Sequence, residues 1–284
     1  MNLIIKPCYN PAGKMQNLKE LNIIYRHWPA KRPKAVLLLV HGLGAHSARW
    51  EFLALFFAHR NISSYAIELK GFGQTRERPR GHIASFNIYY EDIIRLAEVI
   101  KRENPGAKIF LLGESLGGLI CFILAGLYPD NFSGQILISP AFRNAMKFPP
   151  SAYLTLLTFF LIDQKKMVKV PFAAADCTSD KEYQEVMRDN PDELRAMSLK
   201  MILNTLLEQL KVPRLAKRLT LPSLFLIPGK DTMIDENVSR RIFNSLKLGD
   251  KTKIEYPEML HALSIELGRE KVFRDIFSWL SSRL

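Results

Sequence analysis

Six short runs dominated by apolar residues punctuate the chain: Ala35–Val40, Ser64–Leu69, Lys108–Leu112, Gly134–Ser139, Ser223–Pro228 and Lys253–Tyr256. Each has the length of a buried strand. The stretches between them repeat apolar residues at helical spacing, which predicts a mostly parallel sheet with helices on both faces. The first five runs end in turns rich in Gly, Pro or polar residues. Ligands of open α/β sheets bind at the carboxyl ends of the strands, so functional residues are expected there. An antiparallel ribbon from Met1–Lys6 and Leu21–Trp28 is predicted to open the sheet.

Between about Ala141 and Leu221 the alternation stops, and no strand signal is visible. Ser179 with Glu182, and Asn190 with Glu193 behind Pro191, have the spacing of helix starts. The expectation is an all-helical cap (141–221) inserted late in the sheet of a core built from residues 1–140 and 222–284. Within it, Ser151–Ile162 (SAYLTLLTFFLI) is apolar nearly all round as a helix. Twelve residues rise only about 18 Å, too little for a bilayer core of about 30 Å. The segment suits a lid helix packed on its own domain, or one lying in a membrane interface with Phe159 and Phe160 inserted and Lys165, Lys166 and Lys169 near lipid phosphates. A lid can do both.

Composition adds little. The chain has 284 residues, 48% hydrophobic and 24% charged, and a formal net charge of +12. The basic residues are dispersed and no nucleic-acid recognition motif accompanies them, so a solvated basic surface is expected and no nucleic-acid partner. Cys8, Cys121 and Cys177 are too far apart for a metal or disulfide pattern, which fits a reducing compartment. The N-terminus lacks a signal-peptide pattern and no run is long enough to span a membrane. The expected location is cytoplasmic, with peripheral membrane contact through the cap.

The chemistry is concentrated in three places. Gly113-Glu114-Ser115-Leu116-Gly117 lies between the run Lys108–Leu112 and the helical stretch Leu119–Leu127. A serine in a sharp strand–turn–helix reversal needs small residues two before and two after it, and here both are glycine. The reversal projects the hydroxyl above a helix N-terminus, where negative charge is favoured. Gly229-Lys230-Asp231 follows the run Ser223–Pro228, which selects Asp231 as an acid; Asp235 suits a helix N-cap better. Of six histidines, only His261 lies beyond Asp231, just after the last strand. The order Ser115, Asp231, His261 is that of a serine triad on this kind of sheet. His41-Gly42-Leu43-Gly44 follows the first parallel run, so the amides of Leu43 and Leu116 are the candidate oxyanion donors, with His41 structural. No cofactor fingerprint or metal cluster is visible. Gly71-Phe72-Gly73 lacks the third glycine and lysine of a nucleotide loop.

These segments resemble the monoacylglycerol lipase and lysophospholipase group of α/β hydrolases. The resemblance runs over about residues 15–282, through His41–Trp50, Glu68–Gly73, Gly113–Gly118, Leu137–Pro140, Pro228–Asp231 and the surroundings of His261, with Cys177–Leu194 similar to the family's cap segment. It implies an α/β-hydrolase fold, the same five site residues and substrates that are small-molecule acyl esters. Three positions depart from the family: Glu114 where histidine is frequent, Ala45 where an acid is frequent, and Glu68–Gly73 in place of a D-x-x-G-H-G segment. Glu114 is expected to point away from the chemistry. Acyl transfer or small-ester hydrolysis on the same site, and a binding protein without catalysis, are the alternatives.

Overall fold

The computed structural model describes residues 13–145, 158 and 161–284. Eight strands form one sheet in the order β1-β2-β4-β3-β5-β6-β9-β10. They are β1 (Lys14–Leu18), β2 (Ile23–Trp28), β3 (Ala35–Val40), β4 (Ile62–Ile67), β5 (Lys108–Glu114), β6 (Gly134–Ile138), β9 (Ser223–Pro228) and β10 (Lys251–Tyr256). Strands β1 and β2, and β2 and β4, pair antiparallel; the other pairs are parallel. Among the described residues the opening ribbon is β1 with β2, and Met1–Lys6 lies outside them. The edge strand β1 (KMQNL) is largely exposed, so it has no apolar pattern to betray it.

Parallel strands need cover on both faces, and β3 shows how the sequence supplies it. Val36, Leu38 and Val40 point into one core, with α2 (Asn87–Glu103) and α3 (Leu116–Leu127). Ala35, Leu37 and Leu39 point into the other, with α1 (Glu51–Ala58) and the C-terminal helix, Arg269–Ser281. The two-residue period of a strand thus feeds two separate cores. Helix α3 is apolar nearly throughout because it runs beneath the sheet's centre; Leu119 to Leu124 are all fully buried.

Between β6 and β9 the chain makes the insertion, which is not all helical. Strands β7 (Met167–Lys169) and β8 (Ala196–Ser198) form an antiparallel ribbon. Three residues each are too few to produce a readable alternation. The helices whose bounds are described here are α4 (Ala174–Cys177), α5 (Lys181–Asp189) and α6 (Leu199–Ala216), followed after β9 by α7 (Glu236–Ser245) and finally α8 (Arg269–Ser281). Helix α5 is capped by Asp180, whose side chain accepts the Tyr183 amide, and not by Ser179. No helix begins at Pro191: Asn190 ends α5 and turns the chain. Of the apolar segment Ser151–Ile162, only Thr158, Leu161 and Ile162 are described; Leu156, Phe159 and Phe160 lie outside the described residues. Leu161 and Ile162 are each 76% exposed. Among the described residues, no helix is long and apolar enough to cross a membrane.

A buried ion pair ties the insertion to the sheet. Arg49 Nε meets Glu193 Oε1 at 2.6 Å, and its Nη2 meets Oε2. His46 Nε2 lies 3.4 Å from Glu193 Oε1 and 3.0 Å from Asn190 Nδ2. Burial opposes the charge on Glu193, but the Arg49 guanidinium outweighs it and holds the carboxyl down to about 2 from an ordinary 4.5. A carboxyl depressed by folding contributes stability above its ordinary value and loses it as the pH falls towards the folded one. Glu193→Gln should cost about 3–5 kcal/mol, since it leaves the Arg49 charge buried and unpaired. Denaturant melts across pH should show wild-type stability falling between about 4.5 and 2, with this component of the fall missing in Glu193→Gln.

Candidate active site

Ser115 stands where β5 reverses into α3, with φ 57° and ψ −117°. A non-glycine residue holds that conformation only when its surroundings over-determine it. Here the Ser115 amide donates to Ile138 O at 2.9 Å, while its carbonyl accepts from Leu119 N at 3.1 Å and Ala141 N at 3.0 Å. The two flanking glycines leave the necessary space. A Cβ on Gly113 would lie 2.2 Å from Gly117 O, and one on Gly117 only 1.9 Å from Val40 O.

The loop after β3 closes against the serine. A Cβ on Gly42 would be 3.2 Å from Ser115 Cβ and 3.8 Å from its Oγ. Leu43 and Leu116 line the same cavity as Ser115. Leu116 is the first residue of α3, so its amide is among the N–H groups that the helix itself cannot satisfy. His41 sits behind this loop: its Nε2 accepts from Leu69 N at 3.1 Å and its Nδ1 meets Gly42 O at 2.9 Å. That pair of bonds assigns the proton to Nδ1. Burial pushes the His41 imidazole down to about 3, so it is neutral and shapes the loop.

Asp231 follows β9 and His261 follows β10. His261 Nδ1 meets Asp231 Oδ2 at 2.7 Å. The other carboxylate oxygen, Oδ1, accepts the amides of Met233 at 2.8 Å and Ile234 at 3.0 Å, which fixes the plane of the group. Asp235 instead caps α7, accepting the Asn237 amide at 3.1 Å. With Nδ1 committed to Asp231, the lone pair of His261 faces outward from Nε2. That atom is buried and has no hydrogen-bond partner among the described residues. Burial lowers the His261 imidazole, but the Asp231 carboxylate outweighs it and Glu114 adds to the rise; Arg49 opposes, and the net direction is up. Asp231 moves down correspondingly, with the His261 contact overcoming the cost of burial.

Several residues that position His261 gave no readable signal. Ser139 Oγ donates to His261 O at 2.6 Å, and Ala262 N to Cys177 O in the insertion at 2.8 Å. Glu266 accepts from Leu260 N at 3.3 Å and from Ser179 N at 3.0 Å, which takes Ser179 away from helix capping. Glu114 was expected to point away from the chemistry. It is buried, lines the cavity and accepts from Ser264 N at 3.1 Å and Ser264 Oγ at 2.9 Å. The position beside Ser115 was the only clue to it.

Ser115 and His261 open into a cavity of about 1150 Å³ beneath the insertion. Leu116, Phe142, Val170, Met201, Ile202 and Leu206 are among its apolar walls. Among the described residues no cluster of His, Cys, Asp or Glu is arranged to hold a metal ion. The pieces assembled here are a strained serine, an imidazole with one free nitrogen, a carboxylate on its other nitrogen and a largely apolar chamber.

Comparison with known proteins gives the family and the fold. Residues 31–268 match the family model described as serine aminopeptidase, S33. The chain is 30% identical to the monoglyceride lipase of Homo sapiens, over 97% of this chain and 92% of that protein. It is 27% identical to the monoacylglycerol lipase of Mycolicibacterium smegmatis, over 93% of this chain and 94% of the relative. The crystal structure of Paleococcus ferrophilus monoacylglycerol lipase aligns with a TM-score of 0.81 at 25% identity, covering 92% of this chain and 99% of that one. A soluble variant of Saccharomyces cerevisiae monoglyceride lipase, in complex with a substrate analog, shares the fold with a TM-score of 0.83 at 19% identity, covering 98% and 97%. The chain belongs to the monoacylglycerol lipase-like family of α/β hydrolases, a family of carboxylic ester hydrolases.

Proposed function

We propose that this chain hydrolyses carboxylic esters of acyl chains, of the monoacylglycerol or lysophospholipid kind, through a Ser115–His261–Asp231 triad. The observation that supports it best is the 2.7 Å contact of His261 Nδ1 with Asp231, which leaves a buried, unpartnered Nε2 in the chamber of Ser115. In this reading His261 Nε2 takes the Ser115 proton as Oγ attacks the ester carbonyl. Asp231 holds the tautomer and stabilises the imidazolium. The Leu43 and Leu116 amides receive the oxyanion. The imidazolium then protonates the leaving alcohol, and water, deprotonated by the same imidazole, hydrolyses the acyl-enzyme.

The apolar walls favour a long acyl chain over a sugar or a peptide. Each buried methylene stabilises a complex by about 0.8 kcal/mol, or about fourfold. The insertion is also suited to an anionic lipid surface, where Leu161, Ile162 and Leu210 are each 76% exposed and Lys165 and Lys169 lie on the exposed surface of the same region.

Ser115→Ala and His261→Ala should keep the wild-type melting temperature and lose nearly all ester hydrolysis, by as much singly as together. Asp231→Asn should lose less, and Asp235→Asn only a helix cap, about 1 kcal/mol of stability. A fluorophosphonate probe should label wild type at Ser115; full turnover in Ser115→Ala would overturn the reading. The profile of kcat/KM against pH should rise on its acid side with an apparent pKa above the ordinary 6.5 of histidine, because His261 must be neutral to act and its imidazolium is favoured here.

A hydrolysis panel should show kcat/KM rising from acetyl to octanoyl esters. Leu161→Asp should reduce co-sedimentation with anionic vesicles, as should added salt. A flat chain-length series would remove the acyl chain from recognition, and undiminished sedimentation of the variant would remove Leu161 from membrane contact.

A further inference from the structure

Glu114 is a carboxylate placed where it costs free energy. It is 5% exposed and lies at the end of β5, directly before the strained serine. Burial raises its carboxyl above the ordinary value, against the opposing pull of the Ser264 bonds, His261 and Arg49, and a buried carboxylate persists only where donors replace water. Those donors come from one residue: Ser264 gives its amide to Oε1 at 3.1 Å and its hydroxyl to Oε2 at 2.9 Å. Both oxygens accept, as in an ionised carboxylate. Ser264 is itself buried and stands three residues after His261 in the same loop. The grip spans 150 residues of sequence and joins the strand that presents Ser115 to the loop that presents His261.

The loop holding His261 is otherwise irregular. Between β10 and α8 it has no strand or helix to set the ring's position. Ser139 holds the His261 carbonyl from the end of β6, and Cys177 O holds Ala262 from the insertion. Glu114 is the tie from the nucleophile's own strand. A shift of that loop moves Nε2 relative to Oγ directly, and small misplacements of reacting groups are expensive in rate.

We infer that Glu114 is a positioning residue for the His261 base, acting through Ser264 and through its charge. The inference rests on the triad reading above. The charged and titratable groups around this pair are Asp231 and Arg49 at His261, and Arg49, Cys177 and Tyr183 at Glu114. Glu114 is the second carboxylate that favours the imidazolium, so its charge bears on the pH at which His261 becomes a base.

The test compares Glu114→Gln, Ser264→Ala and the double variant with wild type, on one octanoyl ester across pH. Glu114→Gln should lower kcat by about ten- to a hundredfold, with KM little changed. Its acid limb should move to lower pH, because the imidazolium has lost a favourable neighbour. Ser264→Ala keeps the charge and removes one bond. It should lower kcat less and leave the limb in place. The double variant should be no slower than Glu114→Gln alone, since both remove one grip. A merely structural role would lower the melting temperature and leave kcat and the limb where they were; that result overturns the inference. So does a double variant whose losses multiply, or, should Glu114→Gln not fold, a Ser264→Ala enzyme with wild-type kcat. Fluorophosphonate labelling and Ser115→Ala, run beside these, keep the two hypotheses apart. Ser115-dependent turnover with an unaltered Glu114→Gln profile sinks the inference alone, whereas Ser115-independent turnover sinks the triad reading and the inference with it.

Discussion

The reversal at Ser115 is the constraint on which the rest of the molecule depends. Two peptide segments pass so closely there that neither Gly113 nor Gly117 has room for a methyl group. The tightest of these approaches is to Val40 O, at the end of β3. The elbow therefore fixes more than its own turn. It fixes where β3 may end, and hence where the loop His41–Gly44 begins. It also fixes β6, because the Ser115 amide is satisfied by Ile138 O and the Ser115 carbonyl by Ala141 N. A conformation that costs about 1–3 kcal/mol in isolation is maintained because three neighbouring strands and a helix buried from Leu116 to Ala125 would have to move to relieve it.

Around this rigid centre, irregular loops are held by one recurring device. A buried glutamate grips a serine through both its amide and its hydroxyl. Glu68 holds Ser47 after the β3 loop, Glu114 holds Ser264 in the histidine loop, and Glu266 holds Ser179 in the insertion. All three carboxylates are nearly or fully buried. A charge-assisted pair of bonds fixes direction as well as distance, which a single apolar contact cannot do. The cost is desolvation, so the device is useful only where a loop must be placed and no regular element is available to place it. All three loops border the chamber of Ser115 or hold a loop that does.

How far the sequence could be read follows from the same division. Strands β3 and β9 were legible to the residue because every position in them is buried and all but Ser223 are apolar. Strand β4 begins two residues earlier than its apolar pattern, since Ser63 is a buried polar residue whose Oγ accepts from Ala30 N at 2.9 Å. The ribbon of β7 and β8 was too short to leave a period, and the exposed edge strand β1 had no apolar face to read. The geometry brings Asp231 and His261 together as their order along the chain implied. A helix does start at Lys181, but on Asp180, and the capping roles proposed for Ser179 and Asn190 failed for a different reason. Their polar groups have better partners far away in sequence: Glu266 for Ser179, His46 for Asn190 and Arg49 for Glu193. Local spacing cannot reveal a side chain recruited by a segment 87 or 144 residues distant.

Those distant partners also explain why the insertion and the histidine loop belong to one mechanical unit. Cys177 O accepts from Ala262, the residue after His261, while Glu266 accepts from Leu260, the residue before it, and from Ser179. Both flanks of the histidine are therefore bonded, directly or through one carboxylate, to residues 177–179. On the opposite side the insertion is fastened by Arg49 and Glu193, next to the loop that carries Leu43. The segment that roofs the chamber thus supports the proposed base from one side and borders the proposed oxyanion loop on the other. Its sequence has to satisfy two demands at once: apolar walls towards the acyl chain and polar anchors towards the loops. This accounts for the mixture of buried methionines and buried Thr178, Ser198 and Asn204 found within it.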